Sequence, residues 1–176
     1  MAGPYTSLQD SLYNGVKAIF PNNEVIFSHP NGTEPTGSYV VIYILSMDQT
    51  ARQYQSTLAS SSGQAFPNDY QIAITTPYEA LVQFTFVGDE SGDMAQEFSQ
   101  ALGNVRYWEE FQRNNLSVMR KSLIRNSPQR RESVWVMDFN QDVTFAYSLR
   151  TIQTIDVVEK VEIENSLTGE TFTIPQ

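Results

Sequence analysis

Between Tyr70 and Val87 the side-chain character switches at nearly every step, and that period of two limits what the chain can fold into. Tyr70, Ile72 and Ile74 alternate with Gln71, Ala73 and Thr75, and beyond Pro77 the residues Ala80, Val82, Phe84 and Phe86 share one side of a second run, Tyr78 to Val87. Successive strand residues point to opposite faces, so both runs describe strands with one face turned to a core. Proline cannot donate to a ladder, so Pro77 is expected to break the strand or to mark a bend at a sheet edge. A sheet with one apolar face needs a covering layer.

Two helical stripes can supply it. Leu8, Leu12, Val16, Ile19 and Phe20 recur at spacings of three and four, which predicts a helix over Thr6 to Phe20. A capping box, Thr6 with Gln9 or Ser7 with Asp10, would start it and Pro21 would end it. Met94, Phe98, Leu102, Val105, Trp108 and Phe111 predict a second helix from about Asp93 to Asn114, with Gly103 as a weak point inside it. Their stripes place Trp108, and a strand pattern places Trp135, in the core.

The remaining patterns are strand-like. Tyr39 to Met47 is apolar without a break until Ser46, so both faces of that strand are expected to be covered. Polar residues from Asp48 to Gln55 could continue it. Val25 to Phe27 is a short strand, and Val118 with Leu123 and Ile124 predicts another. Val134 to Phe139 and Val143 to Leu149 read either as two strands around an Asn140-Gln141-Asp142 turn or as one long bent strand, with Ile152 to Val158 following. Val161 to Glu164 and Thr171 to Ile174 flank Leu167-Thr168-Gly169-Glu170 as a terminal hairpin. The expected class is α+β: a mostly antiparallel sheet with two main helices on one face, in a single domain over 1–176 whose C-terminal hairpin forms an arm from about 159 to 176. Pro30 to Ser38 and Ser56 to Asp69 are loop-like in composition.

Catalytic patterns are sparse, and no catalytic, cofactor-binding or metal-ligating residue is assigned. The chain has no cysteine, which removes disulfides, thiolate metal sites and cysteine nucleophiles. His29 is the only histidine, next to Pro30, with no GxSxG element to make it part of a triad. Asp89, Glu90 and Asp93 could hold a hard cation, but they precede a helix, where acidic side chains complement the dipole and cap free N–H groups. Asn31-Gly32-Thr33 matches a glycosylation pattern, but MAGPYTSLQD has neither a basic residue nor an apolar core of a signal peptide. No apolar run is long enough to span a bilayer. A soluble protein of the host cytoplasm is expected.

Charge is sorted along the chain. Met1 to Gln100 carries ten acidic and two basic residues, and Glu132 to Gln176 carries eight and two. Between them, Ala101 to Arg131 carries two acidic residues against Arg106, Arg113, Arg120, Lys121, Arg125, Arg130 and Arg131. A net charge of −9 opposes wrapping nucleic acid over a large surface. The basic island can be a solvated face, a phosphate contact, or a surface that meets acid on a neighbouring copy. Arginine outnumbers lysine six to one within it, which suits bidentate, partly buried pairing. Arg120, Lys121, Arg125, Arg130 and Arg131 are therefore the expected subunit or partner interface.

The order LVQFTFVGD, MAQEFSQALGNVRYWEEF, LSVMRKSLIRN, RRES and VWVMDFN resembles the phage neck and tail-terminator proteins of contractile-tailed and related viruses, and SYVVIYILSMDQTARQYQ resembles that family's first long strand. The resemblance covers about Ser7 to Ile155. It implies a twisted sheet flanked by helices and a non-enzymatic virion protein of the tail and neck, assembled in the host cytoplasm. It implies a homo-oligomer, typically a hexameric ring, that caps the tail tube, halts its polymerisation and docks the head connector. Its partners would be the tail tube protein, connector or neck proteins and the tail sheath, with DNA passing through the lumen without specific binding and with no membrane contact. By position, Arg130 and Arg131 match the family's basic residues and Asp138 an acidic position in the following strand, whereas the hairpin from Val161 to Pro175 departs from it. A head-completion adaptor or stopper, a host binding module and a small-molecule hydrolase remain the alternatives.

Overall fold

The computed structural model describes residues 4–28, 35–58, 70–131, 134–155, 160–164 and 171–175. The elements are α1 (Pro4–Ile19), β1 (Glu24–Phe27), β2 (Tyr39–Gln49), β3 (Tyr54–Leu58), β4 (Tyr70–Val87), α2 (Ser91–Ala101), α3 (Val105–Arg113), β5 (Leu116–Lys121), β6 (Arg125–Asn126), β7 (Gln129–Arg131), β8 (Val134–Val136), β9 (Asp138–Ile155), β10 (Lys160–Glu164) and β11 (Thr171–Pro175). They fall into two compact units, Met1–Arg52 with Pro77–Leu149 and Gln53–Thr76 with Arg150–Gln176.

The class is α+β, as the patterning implies. An open, mixed sheet of seven strands runs β1-β2-β4-β9-β5, with β3 also paired to β4 and β6 to β9. The β1–β2 pair is parallel, whereas β2–β4, β3–β4, β5–β9 and β6–β9 are antiparallel. In the first unit the alternation of β4 works as read: Ala80, Val82, Phe84 and Phe86 are all fully buried. They join Leu8, Leu12 and Val16 of α1, Met94, Ala95 and Phe98 of α2, Phe111 of α3, and Val143 and Phe145 of β9 in one core. Phe98 lies at the centre of its aromatic packing, 4.6 Å from Phe84 and 5.4 Å from Phe86 between ring centroids. The helices thus cover one face of the sheet. In the second unit, β3 pairs with the opening residues of β4, Leu58 opposite Gln71 and Tyr54 opposite Thr75, and β10 pairs with β11 as the expected terminal hairpin.

Several expectations are corrected. Three helices, not two, occur among the described residues, because the second stripe breaks at Leu102, Gly103 and Asn104. The Asn104 side chain accepts from the Arg106 N–H at 3.0 Å and restarts the chain as α3. α1 begins at Pro4, so neither capping box lies at its start. Proline suits a first helical position because its missing N–H would be unpaired there in any case. Pro77 does not interrupt β4: its carbonyl accepts from the Thr50 N–H at 3.2 Å, and the strand continues. β2 runs on to Gln49, and only its first part is covered on both faces. The register shifts by a bulge at Leu45, and Tyr43 is 37% and Leu45 42% exposed.

Neither reading for Val134 to Leu149 holds whole: the strand runs on without a turn through Asn140-Gln141-Asp142, but it starts only at Asp138. Asn140, Gln141 and Asp142 lie inside β9, and Val134–Val136 forms a separate strand paired with β7. Leu123 and Ile124 lie outside any strand, and Leu123 is exposed. Trp108 is 42% exposed rather than core, because α3 turns Phe111 inward instead. Asp93 occupies the first turn of α2, as the dipole argument expects, although Glu90 makes no side-chain cap. His29, Asn31-Gly32-Thr33, residues 59–69 and the expectation for Trp135's packing fall outside the described residues.

Candidate subunit interface

Three residues of the basic island, Arg120, Lys121 and Arg125, lie at an edge of the sheet. β5 pairs only with β9 in the strand order, and its register against β9 shifts between Val118 and Arg120. Met119 is the extra residue of this bulge. Leu116 and Val118 face the helix layer, while Met119, Arg120 and Lys121 are exposed. Charges and a bulge are how natural sheets keep an edge strand from indiscriminate pairing.

Arg120, Lys121 and Arg125 each have a separate set of contacts. Arg120 donates from Nε to Thr144 Oγ1 at 3.0 Å and brings Nη2 to 4.0 Å from Glu79. Glu79 stands directly opposite Asp48 in the β2–β4 register, a like-charge cross-strand pair that a nearby guanidinium relieves. The Arg120 side chain is 77% exposed, so this ion pair is loose and adds little stability. It borders a shallow groove of about 270 Å³ that Ser46, Asp48, Thr50 and Leu81 also line.

Arg125 is held more firmly. Its Nη2 lies 2.6 Å from Asp142 Oδ2, and Gln83 donates to the other carboxylate oxygen at 3.1 Å. Ser122 fixes the backbone beneath, donating its N–H to the Asp142 carbonyl at 2.8 Å and accepting from the Asp142 N–H at 2.9 Å. Lys121 turns to the helix layer instead, where Nζ donates to the carbonyl and hydroxyl of Ser99 near the C-terminal end of α2. A cation there complements the carbonyl end of the helix. Gln141, buried at 1% exposure, donates to Ser99 Oγ and to the Ser122 carbonyl.

Arg130 and Arg131 lie on β7, opposite Trp135 and Val134 of β8. Asp138 opens β9 and is 1% exposed. The nearby Tyr39 hydroxyl has its pKa raised, first by burial and then by the Asp138 carboxylate. The structure therefore brings Arg120, Lys121 and Arg125 to one edge and puts Arg130 and Arg131 on a separate two-stranded ladder. Charge counting missed Glu79, Ser99, Asp142 and Thr144, whose proximity is set by register and helix packing over 17 or more residues of separation. It also missed the exposed apolar side chains beside the cations, Met119 at 62% and Leu123 at 86%. Arginine and methionine enrichment is a compositional sign of interfaces.

A helix-backed sheet with exposed cations and apolar side chains on one edge offers a surface for protein contact. The chain matches the family described as phage neck terminator protein over residues 5–170, nearly its whole length, and it belongs to that family. It is a structural protein of the phage neck. No curated protein matches it. Among the described residues no helix is long and apolar enough to cross a membrane, and no cluster of three or more His, Asp or Glu could hold a metal ion.

Proposed function

We propose that this protein is the terminator ring of the neck: it caps the tail tube, stops its polymerisation and presents the head connector with a docking surface. The family match across residues 5–170 is the observation that carries this reading. The exposed basic and apolar edge at β5 and β6 gives the ring a contact surface, and Arg120, Lys121 and Arg125 are the residues we assign to it. Arg130 and Arg131, on their own short ladder, are assigned to the same class of contact. The hairpin β10–β11 serves as an arm of this one assembly module. An isolated two-stranded hairpin is marginal in water, so an arm of this kind gains from a surface to lie on.

The overall acidity suits a passage for DNA. A net charge of −9 repels phosphate, so a lumen walled by this chain would let DNA slide without holding it. The protein would act on no substrate and need no cofactor.

The test is to tag the protein and image purified virions, with tail length measured in particles made without it. Label at the head–tail junction, together with overlong or headless tails in its absence, is the expected result. Label on the capsid or the tail tip, or tails of normal length joined to heads, would remove the reading.

A further inference from the structure

We infer that the β5–β6 edge of one copy docks on the exposed face of α2 of the next copy, so that successive subunits join head to tail. This deepens the terminator reading and rests on it. The edge exposes Arg120 and Arg125 together with the apolar side chains of Met119 and Leu123, while Lys121 is engaged with Ser99 of its own subunit. Exposed cations among exposed apolar side chains call for a partner that is acidic and tolerant of apolar contact.

The same chain carries such a surface. Asp89, Glu90, Asp93 and Glu97 are all exposed on or just before α2, and among the described residues none of them takes part in a salt bridge. Asp93 and Glu97 are four residues apart, one above the other on the helix, with the uncharged Gln96 and Gln100 also exposed on it. The dipole accounts for Asp93 in the first turn, but the effect fades within that turn and leaves Glu97 without a local role. By contrast, the two carboxylates already engaged by the edge within one subunit, Glu79 and Asp142, lie on the strands beneath it. The cations and the open carboxylates sit on different elements. Such a contact can repeat from copy to copy into a closed ring or a filament, or be made twice across a two-fold axis; the terminator reading takes the repeating form.

Charge reversal tests this directly. One chain carries Asp93→Lys and Glu97→Lys, and another carries Arg120→Glu and Leu123→Glu. Assembly is followed by sedimentation of the free protein and by imaging of rings on added tail tubes. Each variant alone is expected to lose assembly, its midpoint concentration rising about tenfold or more, a loss of about 1.4 kcal/mol. An equimolar mixture of the two is expected to restore it. In the mixture every lysine-bearing helix can meet a glutamate-bearing edge, and every native helix a native edge. Restoration also proves that both variants fold.

Either variant assembling like the parent overturns the inference, and so does a mixture of two folded variants that stays dispersed. If tagged parent protein still marks the head–tail junction in that case, only the pairing of β5–β6 with α2 has failed. If the parent forms no ring alone or on tubes, and no label reaches the junction, the terminator reading has failed with it.

Discussion

The ring of Phe111 leaves no room for a β-carbon at Gly15, although Gly15 lies inside α1 where alanine would ordinarily be preferred. Alanine gains about 1 kcal/mol of helix propensity over glycine. Phe111 is fully buried and packs on Phe145 with centroids 5.5 Å apart, so it cannot swing aside cheaply. Overpacking of this kind costs about 1–3 kcal/mol, and the clash should win. Gly15→Ala is expected to lower stability in urea denaturation, and an equal or higher midpoint would show that α1 and α3 part easily. Tyr147 makes a second residue-level case. Its ring stacks on Tyr78 with centroids 5.3 Å apart, its hydroxyl is buried without a partner among the described residues, and its pKa is raised to about 12, first by burial and then by Tyr78. An unfolded tyrosine titrates near 10. Between pH 10 and about 12 the unfolded chain has released a proton that the native chain still holds, so stability falls as pH rises through that window. Tyr147→Phe should leave stability at neutral pH equal or slightly higher and flatten the alkaline fall. An unchanged slope between pH 10 and 12 would assign that fall to other groups.

At the scale of elements, the break between α2 and α3 depends on Asn104. Its side chain accepts the Arg106 N–H, and its backbone is extended, with φ −91° and ψ 128°, as a helix N-cap requires. Asn104→Ala is expected to cost about 1 kcal/mol, which lowers the unfolding midpoint of a chain this size by about 2–4 °C in a thermal scan. No shift would mean that packing of Phe111 alone holds α3 in place. This break also shows how far the sequence could be read. Gly103 marked a weak point in the stripe, but the stripe itself is continuous from Met94 to Phe111, and nothing in its period says that the chain turns. The alternation of Ala80, Val82, Phe84 and Phe86 was legible because residues of period two need no distant partner to show their face, whereas earlier in β4 Ala73 and Thr75 are buried more deeply than Ile72 and Ile74. The break expected at Pro77 does not occur because a missing N–H matters only where a ladder needs it, and Pro77 falls between the end of the β3 ladder at Thr75 and the start of the β2 ladder at Tyr78. The cations of β5 and β6 could be counted directly, yet Lys121 turns to α2 and Arg120 to β9 through a bulge that shifts the register by one residue. Sequence spacing carries no record of that shift.

For the whole molecule, the segregation of charge makes assembly more sensitive to salt than folding. The core that holds the helices on the sheet is apolar, and screening leaves it intact or strengthens it. The most enclosed ion pair among the described residues, Arg125 with Asp142, is backed by a hydrogen bond from Gln83 to the carboxylate and by one from the Asp142 N–H to the Ser122 hydroxyl, and is screened only in part. The surfaces we assign to the contact between copies, by contrast, are exposed charges on both sides. The screening length falls from about 10 Å at 0.1 M salt to about 3 Å at 1 M, which removes most attraction between exposed groups that are not in direct contact. Rings formed at 0.1 M are therefore expected to dissociate, or to assemble much more slowly, at 1 M, while circular dichroism and the urea midpoint stay the same. A chain carrying Asp93→Lys, Glu97→Lys and Arg120→Glu on one polypeptide should keep a salt dependence like the parent's, because these three reversals exchange the signs across the contact and keep the pairing. Sedimentation at the two ionic strengths, run beside the denaturation curves, separates the possibilities. Rings that persist unchanged at 1 M would mean that Met119, Leu123 and other apolar contacts hold the copies together. The cations would then act on encounter rate and register rather than on the strength of the joint.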